Sequence, residues 1–329
     1  MCITMKLTVF ENGKLAVETA EIPATQEGEV LLRVKACGIC GSDVPRVFSG
    51  KSYYYPIVLG HEFSGIVEQS CGGKWNGKRV CVFPILPCKK CEYCEKEQYA
   101  NCVQYDYYGS RRDGGMQDYL AVKEENLVVL PDNVSYEAGA LIEPSAVCLH
   151  ATKKAQIQKG ESVLVYGAGT IGLLCAMWAK DFGANAVYLV DIDEQKLAMA
   201  ERLGFKRYNG ESVQVVFEAS GANACVNQAI DKVSAFGRVV LVGNTGTDIT
   251  ITKENYAKIL RKQITLCGSW NSDYSKTVND WKDSVQAISE GRINPEALIT
   301  HKFSLAESVN AYEVIKNREF YNKIMVVMQ

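Results

Sequence analysis

The chain has 329 residues, which exceeds the usual size of one hydrophobic core, so we expect two domains. Hydrophobic residues make up 47% and charged residues 22% of it, as in folded globular proteins and unlike disordered ones. The net charge of −2 argues against a nucleic-acid or anionic-membrane partner, because both require an excess of positive charge. No apolar run reaches about 18 residues and no secretory signal opens the sequence, so we expect a cytoplasmic protein without a transmembrane helix.

The first half of the chain has the pattern of short strands joined by loops. Its valine-rich segments are bounded by glycine, proline or asparagine, and they predict strands at Val30–Lys35, Gly65–Glu68 and Arg79–Phe83. Short strands separated in this way are typical of β-barrels and sandwiches. We therefore predict a β-rich first domain.

In the second half, predicted strands alternate with predicted helices. The strands are Ser162–Tyr166, Ala186–Val190, Val213–Phe217 and Arg238–Val242, and the helices are Ile171–Phe182, Glu194–Leu203 and Ala224–Val233. This alternation predicts a doubly wound parallel sheet. A last helix near Ser275–Gly291 precedes strands at Ala297–Ser304 and Lys323–Met328, which we expect to rejoin the first domain. The predicted class is α/β, with one domain at 1–148 and 291–329 and the other at 149–290.

A Gly-x-Gly-x-x-Gly motif follows the strand Ser162–Tyr166 and begins the next helix: Gly167, Ala168, Gly169, Thr170, Ile171 and Gly172. In dinucleotide-binding folds these glycines permit the turn, the approach of a pyrophosphate and the packing of helix on strand. Asp191 ends the next strand, where its carboxylate would accept hydrogen bonds from ribose hydroxyls and repel a 2′-phosphate. The motif therefore predicts binding of NAD rather than NADP. An ordinary glycine turn beside a solvated aspartate is the alternative.

Four of the 13 cysteines are clustered in one loop, at Cys88, Cys91, Cys94 and Cys102. Two-residue spacers let neighbouring thiolates face one ion, and four thiolates complete a tetrahedral shell for Zn²⁺. Such a shell leaves no open position, so the spacing predicts a structural zinc site. An iron–sulfur cluster and redox-active thiols are the alternatives.

A third pattern combines a Cys-Gly-Ser-Asp segment that starts at Cys40 with the pair His61 and Glu62. Sulfur, nitrogen and oxygen donors of this kind can bind one zinc ion and leave a position for water or substrate. Glu143, in the segment Leu-Ile-Glu-Pro, is a further candidate carboxylate ligand. These residues are candidates for a catalytic metal site, and an ordinary core or surface histidine is the alternative for His61.

The order of the motifs resembles the zinc-dependent medium-chain alcohol and polyol dehydrogenases. It runs Gly-Ile-Cys-Gly-Ser-Asp, Gly-His-Glu, the four-cysteine loop, Ile-Glu-Pro and Gly-x-Gly-x-x-Gly, and it covers nearly the whole chain. Segments 54–57, 60–65, 109–115 and 268–270 are most similar to the branch that acts on galactitol 1-phosphate, and the sorbitol branch comes next. The resemblance implies a GroES-like catalytic domain, a Rossmann domain, one catalytic and one structural zinc, NAD, and a homodimer or homotetramer.

The resemblance also implies roles for single residues. Cys40 rather than Cys37 would bind the catalytic zinc, together with His61 and Glu143, and Glu62 would ligate or flank the metal. Two further residues would act beside it, Ser42 as the hydroxyl that relays the substrate proton and Asp43 as the carboxylate that orients His61.

Two adjacent arginines, Arg111 and Arg112, lie in a Gly-Ser-Arg-Arg-Asp-Gly-Gly segment that resembles the polyol-phosphate branch. A guanidinium group pairs with two phosphate oxygens at once, so at least one of them is predicted to bind a substrate phosphate. Simple solvation of both side chains is the alternative.

Two features depart from the family pattern. Pro45 occupies the position where many alcohol dehydrogenases carry a histidine that ends the proton relay, so water or the cofactor ribose would have to accept the proton. Few residues separate Leu203 from Phe217, which indicates a shortened nucleotide-binding domain.

The expected protein is an NAD- and zinc-dependent dehydrogenase that oxidises a secondary alcohol of a polyol phosphate to a ketose phosphate. Three alternatives remain open at this point: a sorbitol- or L-iditol-type enzyme acting on free polyols, a ketose-phosphate reductase, and a non-enzymatic redox sensor that uses Cys37 and Cys40.

Overall fold

The computed structural model describes residues 4–329. They form two compact units. One contains the residues up to Glu143 together with Asp273–Gly291 and Ile299–Gln329, and the other contains Pro144–Ser272 and Arg292–Leu298. The domain limits drawn from the sequence stay a prediction.

The part of the first unit before Glu143 consists mainly of short strands, as predicted. Its strands are β1 (Thr4–Val9), β2 (Leu15–Ala20), β3 (Glu29–Gly38), β4 (Ile57–Val58), β5 (Glu62–Ser70), β6 (Arg79–Val82), β7 (Ile85–Leu86), β8 (Asp106–Tyr107), β9 (Tyr119–Lys123) and β10 (Leu127–Val129). The helices are α1 (Val44–Phe48), α2 (Glu92–Glu95) and α3 (Tyr136–Ala140). Buried side chains such as Val30, Leu32 and Val34 in β3 alternate along the strands and form the core of this unit.

The second unit begins within α4 (Ile142–Ala155) and is built around a parallel sheet. Its strands are β11 (Ser162–Tyr166), β12 (Ala186–Val190), β13 (Lys206–Arg207), β14 (Val213–Glu218), β15 (Val233–Leu241) and β16 (Thr265–Gly268). The helices between them are α5 (Thr170–Asp181), α6 (Glu194–Arg202), α7 (Asn223–Lys232) and α8 (Lys253–Lys262). The strand order β13-β12-β11-β14-β15-β16 is that of dinucleotide-binding sheets.

The remaining elements return to the first unit. They are α9 (Asp280–Ser289), β17 (Ile299–Ser304), α10 (Ser308–Lys316) and β18 (Lys323–Val327). β18 inserts between β17 and β3, so the large sheet has the order β10-β6-β5-β3-β18-β17, and β9 also pairs with β3. The predicted fold class, a GroES-like domain with a Rossmann domain, is confirmed.

Two details differ from the predicted elements, and a third agrees with them. The helix predicted near Ser275–Gly291 begins at Asp280, because the side chain of Asn279 caps it by accepting a hydrogen bond from Lys282 N, and it is not the last helix, since α10 follows it. Residues Pro295–Leu298 form a short 3-10 helix where the next strand was expected to start. No helix lies between β13 and β14 within the described residues, which is where the sequence indicated a shortened segment.

Helices long and apolar enough to cross a bilayer are absent from residues 4–329.

Candidate functional site

Three of the predicted metal ligands converge where β3 ends and β5 begins. These antiparallel neighbours pair Gly38 with Glu62, so the residues beyond each strand end lie close together. The donor atoms of Cys40, His61 and Glu62 all lie within 4.8 Å of one another.

Two glycines make room for this cluster. A Cβ at Gly38 would lie 2.2 Å from Oε2 of Glu62, and a Cβ at Gly60 would lie 2.4 Å from Sγ of Cys37. Gly60 also has a φ of 98°, which other residues rarely adopt. The sequence therefore needs glycine at both positions to bring the two strand ends together.

Asp43 links two of the candidate ligands. Its carboxylate is fully buried, and Oδ2 accepts a hydrogen bond from Cys40 N at 3.1 Å. Oδ1 lies 3.7 Å from Nδ1 of His61, on the side expected for a residue that orients the ring. Ser42 lies in the short 3-10 turn Gly41–Asp43 directly after Cys40, which places the predicted relay residue next to one of the candidate ligands.

Glu62 is paired with a lysine from the far end of the chain. Lys323 Nζ, in β18, lies 2.9 and 2.7 Å from the two carboxylate oxygens of Glu62 and 3.0 Å from the carbonyl oxygen of Ile39. Both side chains are almost completely buried. Burial lowers the pKa of Lys323, but the attraction of Glu62 and Cys40 outweighs it and leaves the pKa raised. Glu62 thus forms a buried ion pair.

Glu143 is not part of the group of three but interacts with it. It lies in the first turn of α4, is buried, and its Oε1 lies 3.3 Å from the hydroxyl of Tyr107. The ring of Tyr107 also meets the ring of His61 edge-on at 5.6 Å. Tyr107 therefore connects the predicted ligands Glu143 and His61.

The surroundings of the candidate ligands Cys40 and Glu143 disfavour the ionised forms of both side chains. Burial, with the carboxylates of Glu62 and Asp43, raises the pKa of the Cys40 thiol to about 11. Burial also raises the pKa of Glu143 to about 8, although His61 acts in the opposite direction. A divalent cation would favour the deprotonated forms of both groups. The set of one thiol, one imidazole and carboxylates is that of an open zinc site, so these residues fit the metal.

The four clustered cysteines also converge, with all four sulfurs within 4.8 Å of one another. The Sγ atoms of Cys91 and Cys94 are 3.5 Å apart and those of Cys88 and Cys94 are 3.9 Å apart. Four sulfurs arranged tetrahedrally at about 2.3 Å from one zinc ion would be separated by about 3.8 Å. Backbone N–H groups of Val103 and Cys94 lower the pKa of Cys91 to about 6, which favours a thiolate. The loop fits a single tetrahedral ion.

The two predicted substrate arginines have different surroundings. Nε and Nη2 of Arg112 both lie 2.6 Å from Oδ2 of Asp106, so its charge is already paired. The guanidinium of Arg111 lies between two aromatic rings, 4.5 Å from the ring centre of Tyr53 and 4.2 Å from that of Tyr105. Its Nη atoms donate to Tyr105 O and the Tyr53 hydroxyl, and no carboxylate of residues 4–329 pairs with it.

The glycine motif of the second unit has the geometry expected for a dinucleotide turn. Gly167 has a φ of 96°, and a Cβ at Gly172 would lie 1.7 Å from the carbonyl oxygen of Gly167. Gly169 is the N-cap of α5 and has open space beside its Cα. Asp191 directly follows β12 and is held there, because its carboxylate accepts hydrogen bonds from Ala168 N at 2.6 Å and Asp193 N at 2.9 Å. Thr170 and Ile171 form the first turn of α5.

Sequence reasoning did not identify Lys323, Tyr107 or Arg46 as parts of the site. For Lys323 a signal was present, since a single lysine opens an otherwise apolar buried strand and therefore requires a partner. Tyr107 and Arg46 carry no comparable signal, because only their three-dimensional contacts connect them to the predicted ligands.

Comparison with known proteins agrees with this geometry. The family description "Alcohol dehydrogenase GroES-like domain" matches residues 26–132, and "Zinc-binding dehydrogenase" matches residues 170–290. Galactitol 1-phosphate 5-dehydrogenase of Escherichia coli K12 is 34% identical over 96% of this chain and 97% of its own length. Sorbitol dehydrogenase 1 of Saccharomyces cerevisiae is 32% identical over 92% of this chain and 91% of its own.

Solved structures give the same result. The crystal structure of galactitol-1-phosphate dehydrogenase from E. coli superposes with a TM-score of 0.92 at 33% identity, covering 98% of this chain and 99% of that one. A zinc-binding dehydrogenase from Sinorhizobium meliloti 1021 bound to NADP (TM-score 0.90, 27% identity) covers 99% and 100%. An alcohol dehydrogenase from E. coli CFT073 complexed with NADH (TM-score 0.90, 25% identity) also covers 99% and 100%. The resemblance seen in the motifs is confirmed, and the chain belongs to the zinc-dependent medium-chain alcohol and polyol dehydrogenase family.

Proposed function

We propose that this oxidoreductase uses zinc and NAD to oxidise a secondary alcohol of a polyol phosphate, such as galactitol 1-phosphate, to the ketose phosphate. The observation that carries the proposal is the convergence of Cys40, His61 and Glu62, with Ser42 in the turn directly after Cys40. Metal donors with a neutral hydroxyl on the adjoining turn suit alcohol oxidation, since the alcohol must be polarised and must lose a proton.

Cys40, His61 and Glu143 would hold the catalytic zinc. Glu62 would flank it, because Lys323 already engages both oxygens of that carboxylate. When bound there, zinc supplies a Lewis acid that lowers the pKa of an alcohol hydroxyl. The four cysteines of the loop would hold a second zinc with a purely structural role.

Ser42 would receive the proton of the substrate hydroxyl. The position three residues later is Pro45, which offers no group that can carry the proton further. Arg46, the next residue, donates to the oxygen of Ser42 but cannot accept a proton. Water is then the acceptor that follows Ser42. Asp43 would keep the ring of His61 oriented throughout.

Arg111, and not Arg112, would bind the substrate phosphate. Arg112 is neutralised by Asp106, whereas Arg111 is held between two tyrosine rings without a carboxylate partner. The rings of Tyr105 and Tyr107 are 6.1 Å apart and that of Tyr107 is 5.6 Å from His61, so a continuous row of side chains joins Arg111 to the metal donors. A phosphate remote from the reacting carbon could be bound in this way.

NAD preference would come from Asp191. A carboxylate at this position accepts hydrogen bonds from the ribose diol and repels a 2′-phosphate, and the neighbouring Ile192 is fully exposed. Replacing Asp191 by Ser together with Ile192→Arg should shift the ratio of kcat/KM for NAD and NADP toward NADP by about tenfold or more. Equal use of both cofactors by the wild-type protein would contradict this assignment.

A panel of polyols and polyol phosphates with NAD and NADP tests the function. We expect the highest kcat/KM with a polyol phosphate and NAD.

Arg111→Ala should remove about 2–3 kcal/mol of transition-state stabilisation for that substrate and much less for the free polyol, with Arg112→Ala as the matched control. Preference for free sorbitol would favour the sorbitol-type alternative, and a rate measurable only with the ketose phosphate and NADH would favour the reductase. No reaction of the zinc-loaded protein with any alcohol would overturn the proposal. We also propose that the protein is cytoplasmic and forms a homodimer or homotetramer, as expected from the sequence and its family resemblance.

A further inference from the structure

Arg46 contacts the turn that carries the candidate catalytic groups. It lies in α1, one helical turn after Ser42, and its Nη1 donates to the carbonyl oxygen of Ser42 at 2.6 Å and to the Ser42 hydroxyl oxygen at 3.2 Å. The same nitrogen lies 3.3 Å from Oδ1 of Asp43. One guanidinium nitrogen therefore contacts three oxygen atoms of two consecutive residues.

Through Asp43, Arg46 is connected to two of the candidate metal ligands. One oxygen of Asp43 accepts a hydrogen bond from Cys40 N, and the other lies between Arg46 and the ring of His61. A fully buried carboxylate is costly unless a charge or several donors compensate it. Arg46 supplies that charge, so its loss would change the orientation of Asp43 as well as that of Ser42.

The guanidinium is itself held in place. Only 16% of the Arg46 side chain is exposed, and the hydroxyl of Tyr55 donates to its backbone carbonyl at 2.7 Å. Pro45 occupies the first turn of the same short helix. A planar guanidinium fixed in this way presents donors in a defined direction, which a flexible lysine ammonium does not.

We propose that Arg46 is a positioning residue for the dehydrogenase reaction, a role that rests on the proposed function. Its N–H donates to the hydroxyl oxygen of Ser42, so the hydroxyl proton of the serine must point away from Arg46. A second lone pair of that hydroxyl oxygen stays available to the substrate. Its charge holds Asp43 between Cys40 N and His61. Arg46 thus fixes the relay hydroxyl and the metal ligands with one group, without taking part in proton transfer.

The test compares Arg46→Met and Arg46→Lys with Arg33→Met. Arg33 is a matched control in the same unit, because its guanidinium pairs with the exposed Glu68 and not with the site. Four quantities are measured on the full chain: kcat, KM, the visible spectrum of the cobalt-substituted protein and the rate at which a chelator removes the most labile metal ion.

We expect Arg46→Met to lower kcat by about 10- to 100-fold with little change in KM, since it disturbs orientation rather than binding. The cobalt spectrum should change and the labile metal should leave faster, while Arg46→Lys should recover part of each loss and Arg33→Met should match the wild type. A wild-type kcat, cobalt spectrum and metal release rate in Arg46→Met would overturn the proposal. So would a fall in thermal stability with an unchanged spectrum, because Arg46 would then be a structural residue only. The spectrum and the release rate remain informative even if no alcohol proves to be a substrate, so the two proposals fail separately.

Discussion

The two donor clusters of the first unit are built in opposite ways. The four cysteines belong to one loop between Cys88 and Cys102, and backbone N–H groups lower the pKa of two of them, Cys88 and Cys91, whereas burial raises the pKa of Cys94. The proposed catalytic ligands Cys40, His61 and Glu143 come instead from the end of β3, the start of β5 and the first turn of α4. Their supports are side chains, namely Asp43, Arg46, Tyr107 and Lys323.

This difference shows how each cluster depends on its metal and its surroundings. Because all four donors of the loop would bind one ion, the metal should contribute directly to the folding of the loop. We call the group of Cys40, His61, Glu62 and Glu143 the mixed cluster. It is shaped by strands and buried ion pairs that exist independently of a metal. Loss of metal should therefore unfold the loop but only inactivate the mixed cluster.

The most severe test removes a ligand of the mixed cluster. His61→Ala should lower kcat/KM by about 10³-fold or more, because several kcal/mol of transition-state stabilisation depend on the metal. Metal analysis should find one zinc per chain in place of two. His301→Ala is the control, since His301 lies in β17, stacked on Phe303, outside both clusters. The closed four-cysteine site should hold the zinc that resists a chelator. If His61→Ala lost that zinc instead, the two clusters would have been assigned the wrong way round.

Removing a thiolate from the loop should act mainly on stability. Cys94→Ser should lose the chelator-resistant zinc and lower the free energy of unfolding by several kcal/mol. The folded fraction should retain far more activity than His61→Ala. Cys81→Ser is the control, because Cys81 is also a buried thiol but belongs to neither cluster. The result can be read from zinc content and denaturant unfolding, and unchanged stability would refute a structural metal.

The mixed cluster should also be sensitive to its buried ion pair. Lys323→Met leaves the carboxylate of Glu62 buried without its partner, which should cost about 3–5 kcal/mol of stability. Lys323→Arg keeps the charge and should cost less. If Glu62→Gln restores stability to Lys323→Met, the loss is due to the unpaired charge; additive effects would show that the two residues act independently.

The smallest expected effect concerns a single hydroxyl. Tyr107→Phe keeps the ring that contacts His61 and removes the hydroxyl that lies 3.3 Å from Oε1 of Glu143. We expect a change of about 1 kcal/mol in kcat/KM. Tyr105→Phe removes the hydroxyl of the neighbouring ring and should change kcat/KM less. A loss as large as that of His61→Ala would mean that Tyr107 takes part in the chemistry.

The two clusters also differ in how far sequence could predict them. The cysteine loop follows from local spacing, because its four donors are separated by a few residues. The residue types of Cys40 and His61 made them candidates, but the choice of Cys40 over Cys37 and the assignment of both as ligands depended on the family resemblance, since nothing in the residues themselves brings β3 next to β5. The parallel sheet was predictable because strands and helices alternate along the chain. Lys323 could not be assigned to Glu62, because 261 residues separate them and their contact depends on β18 inserting beside β3.

The position of β18 has a consequence for the order in which the protein matures during synthesis. The cysteine loop is complete at Cys102, so it can take up its metal early. Glu62 receives its counter-charge only when Lys323 has been made, after the entire second unit. At typical elongation rates about 10 to 45 s pass between these two events. Through this interval the nascent chain would carry all four cysteines of the loop, while Glu62 of the other donor group still lacks its counter-charge.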